Sequence, residues 1–215
     1  MIDVLYSRIG ANSFVGFNEN REGFLVDPGY NVGNVLINHI KKLDVKIVAI
    51  LITHGHFDHI CALEEVCKEF PDANVYISED EFEFLTNVDL NLSGEPDVEE
   101  EGVPKLTYVP THLYKVNDGD IIKEAGFEIK VIATPFHTRG SVCFYIEKEQ
   151  ALFSGDTLFF TTIGRTDLPS GSNRTIESSL AKLKELPDGI KVYPGHGACT
   201  SLDREKKYNA YLKNI

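Results

Sequence analysis

The sequence predicts an α+β fold in which sheets and helices mix along the whole chain, and three observations carry that prediction. An apolar, β-branched run, KIVAILI (46–52), is followed by a polar loop and then by apolar residues at helical spacing. From Thr111 onward, short β-type runs alternate with turn residues. Towards the C-terminus helical spacing returns on both sides of one further strand. With 215 residues, 42% of them apolar, the chain can bury a sizeable core, and residues 1–215 are expected to form a single domain.

Each element has its own signal. KIVAILI reads as a strand buried on both faces, because its apolar residues do not alternate with polar ones. Asp58 is placed to cap a helix carrying Ile60, Leu63, Val66, Cys67 and Phe70, which Pro71 stops. NVYIS (74–78) predicts a strand, and Ser78 with Glu81 reads as a capping box for a helix over EDEFEFL. Residues 86–104 are polar, acidic and without period, and predict an exposed excursion too short to separate two cores. Strands are then expected at HLYKV, FEIKVIAT, SVCFYIEK and ALFSGD, with a turn at NDGD (117–120). Ile176, Leu180, Leu183 and Leu186 mark a helix before Pro187, IKVYP a strand, and the polar LDREKKYNAYLKNI a last helix.

Composition excludes several functions. With 21 basic against 33 acidic side chains the net charge is −12, which repels polyanions, so nucleic acid is not an expected partner. The N-terminus has no basic segment leading into an apolar one, and no apolar run approaches the roughly 18 residues of a membrane span. A soluble, cytoplasmic protein is therefore expected, with no membrane partner. The four cysteines form no C-x-x-C, so reduced, mostly buried thiols are expected rather than a disulfide framework or a zinc ribbon.

Three of the seven histidines fall inside LITHGHFDH (51–59), directly after the apolar strand. The pattern H-x-H-x-D-H arises by chance roughly 5 × 10⁻⁴ times in a chain of this composition, so accident is a poor account of it. Imidazole nitrogen and carboxylate oxygen suit Zn²⁺, Fe and Mn. His54 and His56 at a strand end can turn toward one ion, while Asp58 and His59 approach from the other side of the loop. Four donors on one loop can thus serve two ions. His137, Asp156 and His196 also follow strand-like segments, whereas His39 and His112 read as ordinary polar residues.

THGHFDH, TPFHTRGS, SGDTLF and YPGHG, in that order and together with VDPG (26–29), resemble the metallo-β-lactamase superfamily, and within it the compact glyoxalase II-like (hydroxyacylglutathione hydrolase-like) hydrolases. The resemblance runs from near the start of the chain to residue 197 and implies an αββα four-layer sandwich with a metal site at one edge of the sheets. It implies two divalent transition-metal ions, Zn before Fe or Mn. His54, His56 and His137 would hold one ion, Asp58, His59 and His196 the other, and Asp156 would bridge them. Aspartate rather than cysteine at 156 places the site nearer the hydrolase branch than the best-known β-lactamases. The implied chemistry is attack of a metal-bridging hydroxide on a polarised carbonyl, with Asp58 also placed to accept a proton. Asp27 either orients a ligand from outside the donor set or is purely structural.

The implied substrate is a small acyl thioester such as S-D-lactoylglutathione. Longer glyoxalase II enzymes add a basic helical domain that grips glutathione; this sequence ends shortly after His196, and that domain is not expected. Glutathione-using members carry a tyrosine where Phe144 stands, which also argues for a weak hold on glutathione. GRTDLPSGS (164–172) and LTNVDLNLSGEP (85–96) resemble the compact bacterial group. Arg165 and Asp167 either contact substrate or brace a loop as an ion pair, and Phe159, Phe160 and Ile163 form either an apolar lip or plain core. Two other readings remain at this point. A persulfide dioxygenase would use one iron at the positions of His54, His137 and Asp156. A metal-binding protein without catalysis would need a blocked cleft, for which Phe136 before His137 is the only hint. Oligomeric state has no signal in the sequence.

Overall fold

Among the described residues, twelve strands pair into two six-stranded sheets in the order in which the chain lays them down. The first sheet is β1 (Ile2–Leu5), β2 (Ser13–Phe17), β3 (Glu22–Val26), β4 (Lys46–Ile52), β5 (Asn74–Ser78) and β6 (Leu113–Val116). The second is β7 (Ile121–Glu124), β8 (Phe127–Ala133), β9 (Val142–Ile146), β10 (Ala151–Gly155), β11 (Lys191–Pro194) and β12 (Thr200–Ser201). This computed structural model describes residues 1–6, 10–29, 32–100 and 102–215.

Side-chain alternation along the strands divides the core into three layers. Ile50 and Ile52 of β4 face α1 (Val35–Leu43) and α3 (Leu63–Glu69), meeting Leu36, Ile40, Leu63 and Val66. Ala49 and Leu51 point the other way, into the space between the sheets, where Phe14, Phe24, Phe144 and Phe153 pack. Beyond the second sheet, Cys143, Leu152 and Val192 meet Leu180 of α5 (Ile176–Lys184), Leu202 of α6 (Leu202–Tyr208) and Leu212 of α7 (Ala210–Lys213). Helices therefore cover both outer faces, which makes the expected αββα sandwich. Each fully buried Leu, Ile or Phe contributes about 1.5–3 kcal/mol. Phe14, Phe24, Phe153 and Tyr193 also stack edge-on or face-on, with centroids from 5.1 to 5.7 Å apart.

β3 and β4 are parallel, as are β10 and β11, and β8 runs in the direction of β10 because antiparallel β9 lies between them. The C-terminal ends of β3 and β4 in one sheet and β8, β10 and β11 in the other lie along one edge of the sandwich. There the Val142 N–H donates to the Thr53 carbonyl at 2.9 Å and ties one sheet to the other.

Several local expectations change in three dimensions. The helix expected over 58–70 is two, α2 (Phe57–Ile60) and α3, and the N-cap of α2 is His56, so Asp58 lies inside the first turn instead of capping it. The Ser78/Glu81 capping box does not form: EDEFEFL is a 3-10 turn (Glu79–Leu85) with no side-chain cap bond from Ser78, and Glu81 is buried. The acidic excursion is not wholly exposed, and Glu101 lies outside the described residues. It holds α4 (Pro96–Glu100) and two fully buried anchors, Asn91 and Ser93. The Asn91 amide donates to the Phe84 and Leu106 carbonyls at 2.7 and 3.0 Å, and its own carbonyl accepts from the Phe57 N–H at 2.8 Å. The C-terminal helix breaks at Asn209, whose side chain caps α7. All four cysteines are free, yet only Cys143 is fully buried; Cys61, Cys67 and Cys199 are half-buried. Among the described residues, no helix is long and apolar enough to cross a membrane.

Candidate metal centre

All seven predicted donors converge at the strand-end edge. His54, His56, Asp58 and His59 follow β4, His137 follows β8, Asp156 follows β10 and His196 follows β11. They form three overlapping groups whose donor atoms lie within 4.8 Å of one another: His54/His56/His137, His54/His59/Asp156 and Asp58/His59/His196. His56 Nδ1 is 3.1 Å from His54 Nε2 and 3.0 Å from His137 Nε2. On the other side, His196 Nε2 is 3.0 Å from Asp58 Oδ2. Asp156 stands between: its Oδ1 is 3.3 Å from His59 Nε2, and its Oδ2 is 3.5 Å from His137 Nε2 and 3.6 Å from His196 Nε2.

The outer hydrogen bonds of the rings fix which nitrogens carry protons. His137 Nδ1 donates to the Arg165 carbonyl at 2.8 Å, and His59 Nδ1 donates to Asp27 Oδ2 at 2.8 Å. Thr53 Oγ1 donates to Asp27 Oδ2, so at 3.3 Å it is an acceptor for His54 Nδ1. In its neutral form each ring held this way turns its Nε2 lone pair inward. One proton on His56 Nδ1 can satisfy only one of the two lone pairs beside it. The His59 lone pair faces a carboxylate oxygen, and both His59 Nε2 and Asp156 Oδ1 are buried without a hydrogen-bond partner. Such acceptor-to-acceptor contacts need a cation between them, and a set of imidazoles and carboxylates suits divalent transition metals.

Electrostatics favours the neutral, ligating form of His54 and His56 and draws a proton, which an ion would have to displace, toward His59 and His196. Burial, reinforced by the neighbouring imidazoles, holds His54 well below the usual range and brings His56 down to about 3, so both rings stay neutral. Burial also opposes charge on His59, but Asp27, Asp58 and Asp156 outweigh it and raise that ring. Asp156 and Asp58 are held below the usual carboxylate range despite their burial, chiefly by His59.

Asp27 has both roles left open by the sequence. Its Oδ1 accepts the Thr53 N–H at 2.8 Å, fixing the start of the donor loop, while its Oδ2 holds His59. Asp27→Asn keeps the shape but removes the anion that holds His59 Nδ1–H; metal affinity should fall about 10–100-fold, read by chelator competition. Sequence reasoning missed three further supports. Asn12 N–H donates to the Gly195 carbonyl at 2.6 Å, and its amide donates to the Pro194 and Gly197 carbonyls at 3.0 Å, holding the His196 loop. The other two are the Arg165 carbonyl and Glu81. A glycine on each side of His196 was the one visible signal for the first.

The rim divides the remaining candidates. Phe159 packs 6.1 Å from the His196 ring and Phe160 is exposed beneath the Arg204 guanidinium at 3.8 Å, whereas Ile163 belongs to the core. Arg165 and Asp167 form a two-pronged pair at 2.6 Å that is exposed, not buried. Phe144 is fully buried between the sheets. Phe136 packs into the outer core of the second sheet and does not crowd the cleft. His39 pairs with Asp3 at 2.6 Å, and His112 is exposed on the approach to β6.

Comparison with known proteins places the fold in a family. A family profile described as the metallo-beta-lactamase superfamily matches residues 8–196. The hydroxyacylglutathione hydrolase GloC of Haemophilus influenzae is 31% identical over 200 residues, covering 92% of this chain and 91% of the relative. The solved BLEG-1 B3 metallo-beta-lactamase superposes with a TM-score of 0.88 at 35% identity, covering 99% of each chain. TTHA1623, solved in a di-iron-bound form, gives 0.81 at 28% identity and covers 99% of this chain and 100% of its own. With the profile spanning most of its length and its seven donors gathered at the strand-end edge, the chain belongs to the metallo-beta-lactamase superfamily.

Proposed function

We propose that this metal-dependent hydrolase carries two divalent ions and cleaves a small acyl thioester of the S-D-lactoylglutathione type. His54, His56 and His137 would hold one ion and Asp58, His59 and His196 the other, with Asp156 shared. The observation that carries the reading is the position of Asp156, whose carboxylate lies 3.5 Å from His137 of the one group and 3.3 and 3.6 Å from His59 and His196 of the other. The di-iron-bound relative supports two ions; the nitrogen and oxygen donors suit Zn first, then Fe or Mn. Bound ions supply Lewis acidity and lower the pKa of water toward about 7.

The protein's own groups do the rest. The His196 side chain is 39% exposed and that of Asp58 19%, so this side is the open one, where substrate enters. Asp58 is placed there to take the proton of the attacking water. Phe159 and Phe160 give the acyl group an apolar rim that excludes bulk water. Arg165 is tied to Asp167 and Arg204 to Glu205, so both rim arginines are already neutralised and the hold on an anionic thiol carrier is weak. The GloC relative favours a thioester, and a net charge of −12 disfavours nucleic acid.

The similarity to a B3 metallo-beta-lactamase supports a second reading, hydrolysis of a β-lactam amide at the same centre. The deciding experiment measures metal per chain and kcat/KM on lactoylglutathione, a lactoyl thioester of a minimal thiol and a chromogenic β-lactam, with oxygen uptake on glutathione persulfide beside them. Expected are two ions, cleavage of both thioesters with kcat/KM within about tenfold of each other, and a weaker β-lactam reaction. A preference of orders of magnitude for lactoylglutathione would reveal a specific carrier pocket. Oxygen uptake with one iron and no thioester cleavage would replace the hydrolase with a dioxygenase.

A further inference from the structure

Glu81 is fully buried on the 3-10 turn after β5, with no Lys or Arg ion pair among the described contacts. Arg139, whose charge is felt at Glu81, makes its hydrogen bonds to the Asp80 carbonyl at 3.1 Å and to Glu83 at 2.6 Å. The Glu81 carboxyl instead accepts two backbone N–H groups, from Gly55 at 2.7 Å on Oε2 and from Gly140 at 2.9 Å on Oε1. Gly55 lies between His54 and His56, on the loop leaving the first sheet. Gly140 lies three residues beyond His137, on the β8–β9 loop of the second sheet. These two loops supply all three members of the His54/His56/His137 group.

Both loops are pressed against the turn. A methyl group at Gly140 would lie 2.8 Å from Glu81 Cγ and 2.9 Å from the Glu81 backbone nitrogen, and one at Gly55 would lie 2.3 Å from Phe84 Cβ. Glycine is therefore what lets each loop reach the carboxyl group. A buried carboxyl group is costly, and a turn of this kind needs none for its own capping. Its two acceptors are spent on joining loops from opposite sheets.

We infer that Glu81 is a positioning residue for the three-histidine half of the centre, bridging the His54/His56 loop and the His137 loop through Gly55 and Gly140. This rests on the proposed function only in taking that half as an ion site. Glu81→Gln offers one acceptor and one donor, so one of the two N–H groups meets an N–H and is left unsatisfied. Glu81→Asp keeps two acceptors on a stem one methylene shorter. The surface variant Glu83→Gln, on the same turn, serves as control.

Two readouts test it. In the metal-free protein, hydrogen exchange at the Gly55 and Gly140 amides should be protected in the wild type and at least about tenfold faster in Glu81→Gln, with other core amides unchanged. In cobalt-loaded protein, chelator competition should show one of two equivalents weakened about 10–100-fold with an altered d–d spectrum, the other equivalent little changed. Glu81→Asp should recover part of that loss, and Glu83→Gln should match the wild type. Wild-type exchange at both amides in Glu81→Gln, or equal weakening of both equivalents together with global loss of protection, would overturn the inference. Should the wild type bind no cobalt, the ion-site reading fails, while the amide exchange still decides whether Glu81 holds the two loops.

Discussion

Asp156→Ala should lose on the order of 10³-fold or more in turnover and at least one ion per chain. The Asp156 carboxylate reaches both halves, His137 at 3.5 Å on one side and His59 and His196 at 3.3 and 3.6 Å on the other. Removing it takes a buried anion from among the lone pairs of His59, His137 and His196, which are then left without the charge that draws in a cation. Losing several kcal/mol of transition-state stabilisation corresponds to about three powers of ten in rate. The fold should survive, because the sheet contact beside it, from the Gly195 N–H to the Gly155 carbonyl at 2.9 Å, is made by backbone. Elemental analysis and kcat/KM on one sample check the prediction; an unchanged metal content would remove Asp156 from its shared position.

Gly195→Ala should be nearly as damaging, although the residue donates nothing to an ion. A Cβ there would lie 2.4 Å from Asp156 Oδ1 and 2.6 Å from His59 Cε1. The loop cannot yield, since its N–H is held by Gly155 and its carbonyl by the Asn12 N–H at 2.6 Å. The methyl must therefore displace His59 or Asp156. Overpacking of this kind costs about 1–3 kcal/mol of stability, and a shift of about 1 Å in a reacting group costs about 10²-fold in rate. A variant with wild-type activity would show that the His59 and Asp156 positions are softer than their contacts indicate. Thermal melts of the metal-free form separate the strain on the fold from the loss at the site.

The seven side chains that cluster at the strand-end edge could be picked out in the sequence because each follows a strand, where a short polar interruption of an apolar run stands out, and because their motifs resemble the family's. KIVAILI and NVYIS became β4 and β5 with their bounds as read, since their apolar runs have little alternative use. β1, β2, β3, β7 and the two-residue β12 have no clear sequence signal: SFVGF and EGFLV are five residues each with a glycine inside, too short to show a period. Glu81 misled because a local pattern, serine followed three residues later by glutamate, competes with a tertiary demand invisible in one segment. The acidic excursion misled for the same reason, its buried anchors Asn91 and Ser93 being polar residues whose partners lie on other segments.

The chain builds the first sheet from β1 to β6 and the second from β7 to β12, passing between them at residues 117–120. Every one of the three donor groups draws on both halves. A nascent chain that has emerged only as far as the first sheet thus carries His54, His56, Asp58 and His59 with none of the three groups complete. Two separately produced halves, cut within 117–120, would be expected to reassociate more tightly when an ion is present, by the binding free energy the joined cage alone can gain.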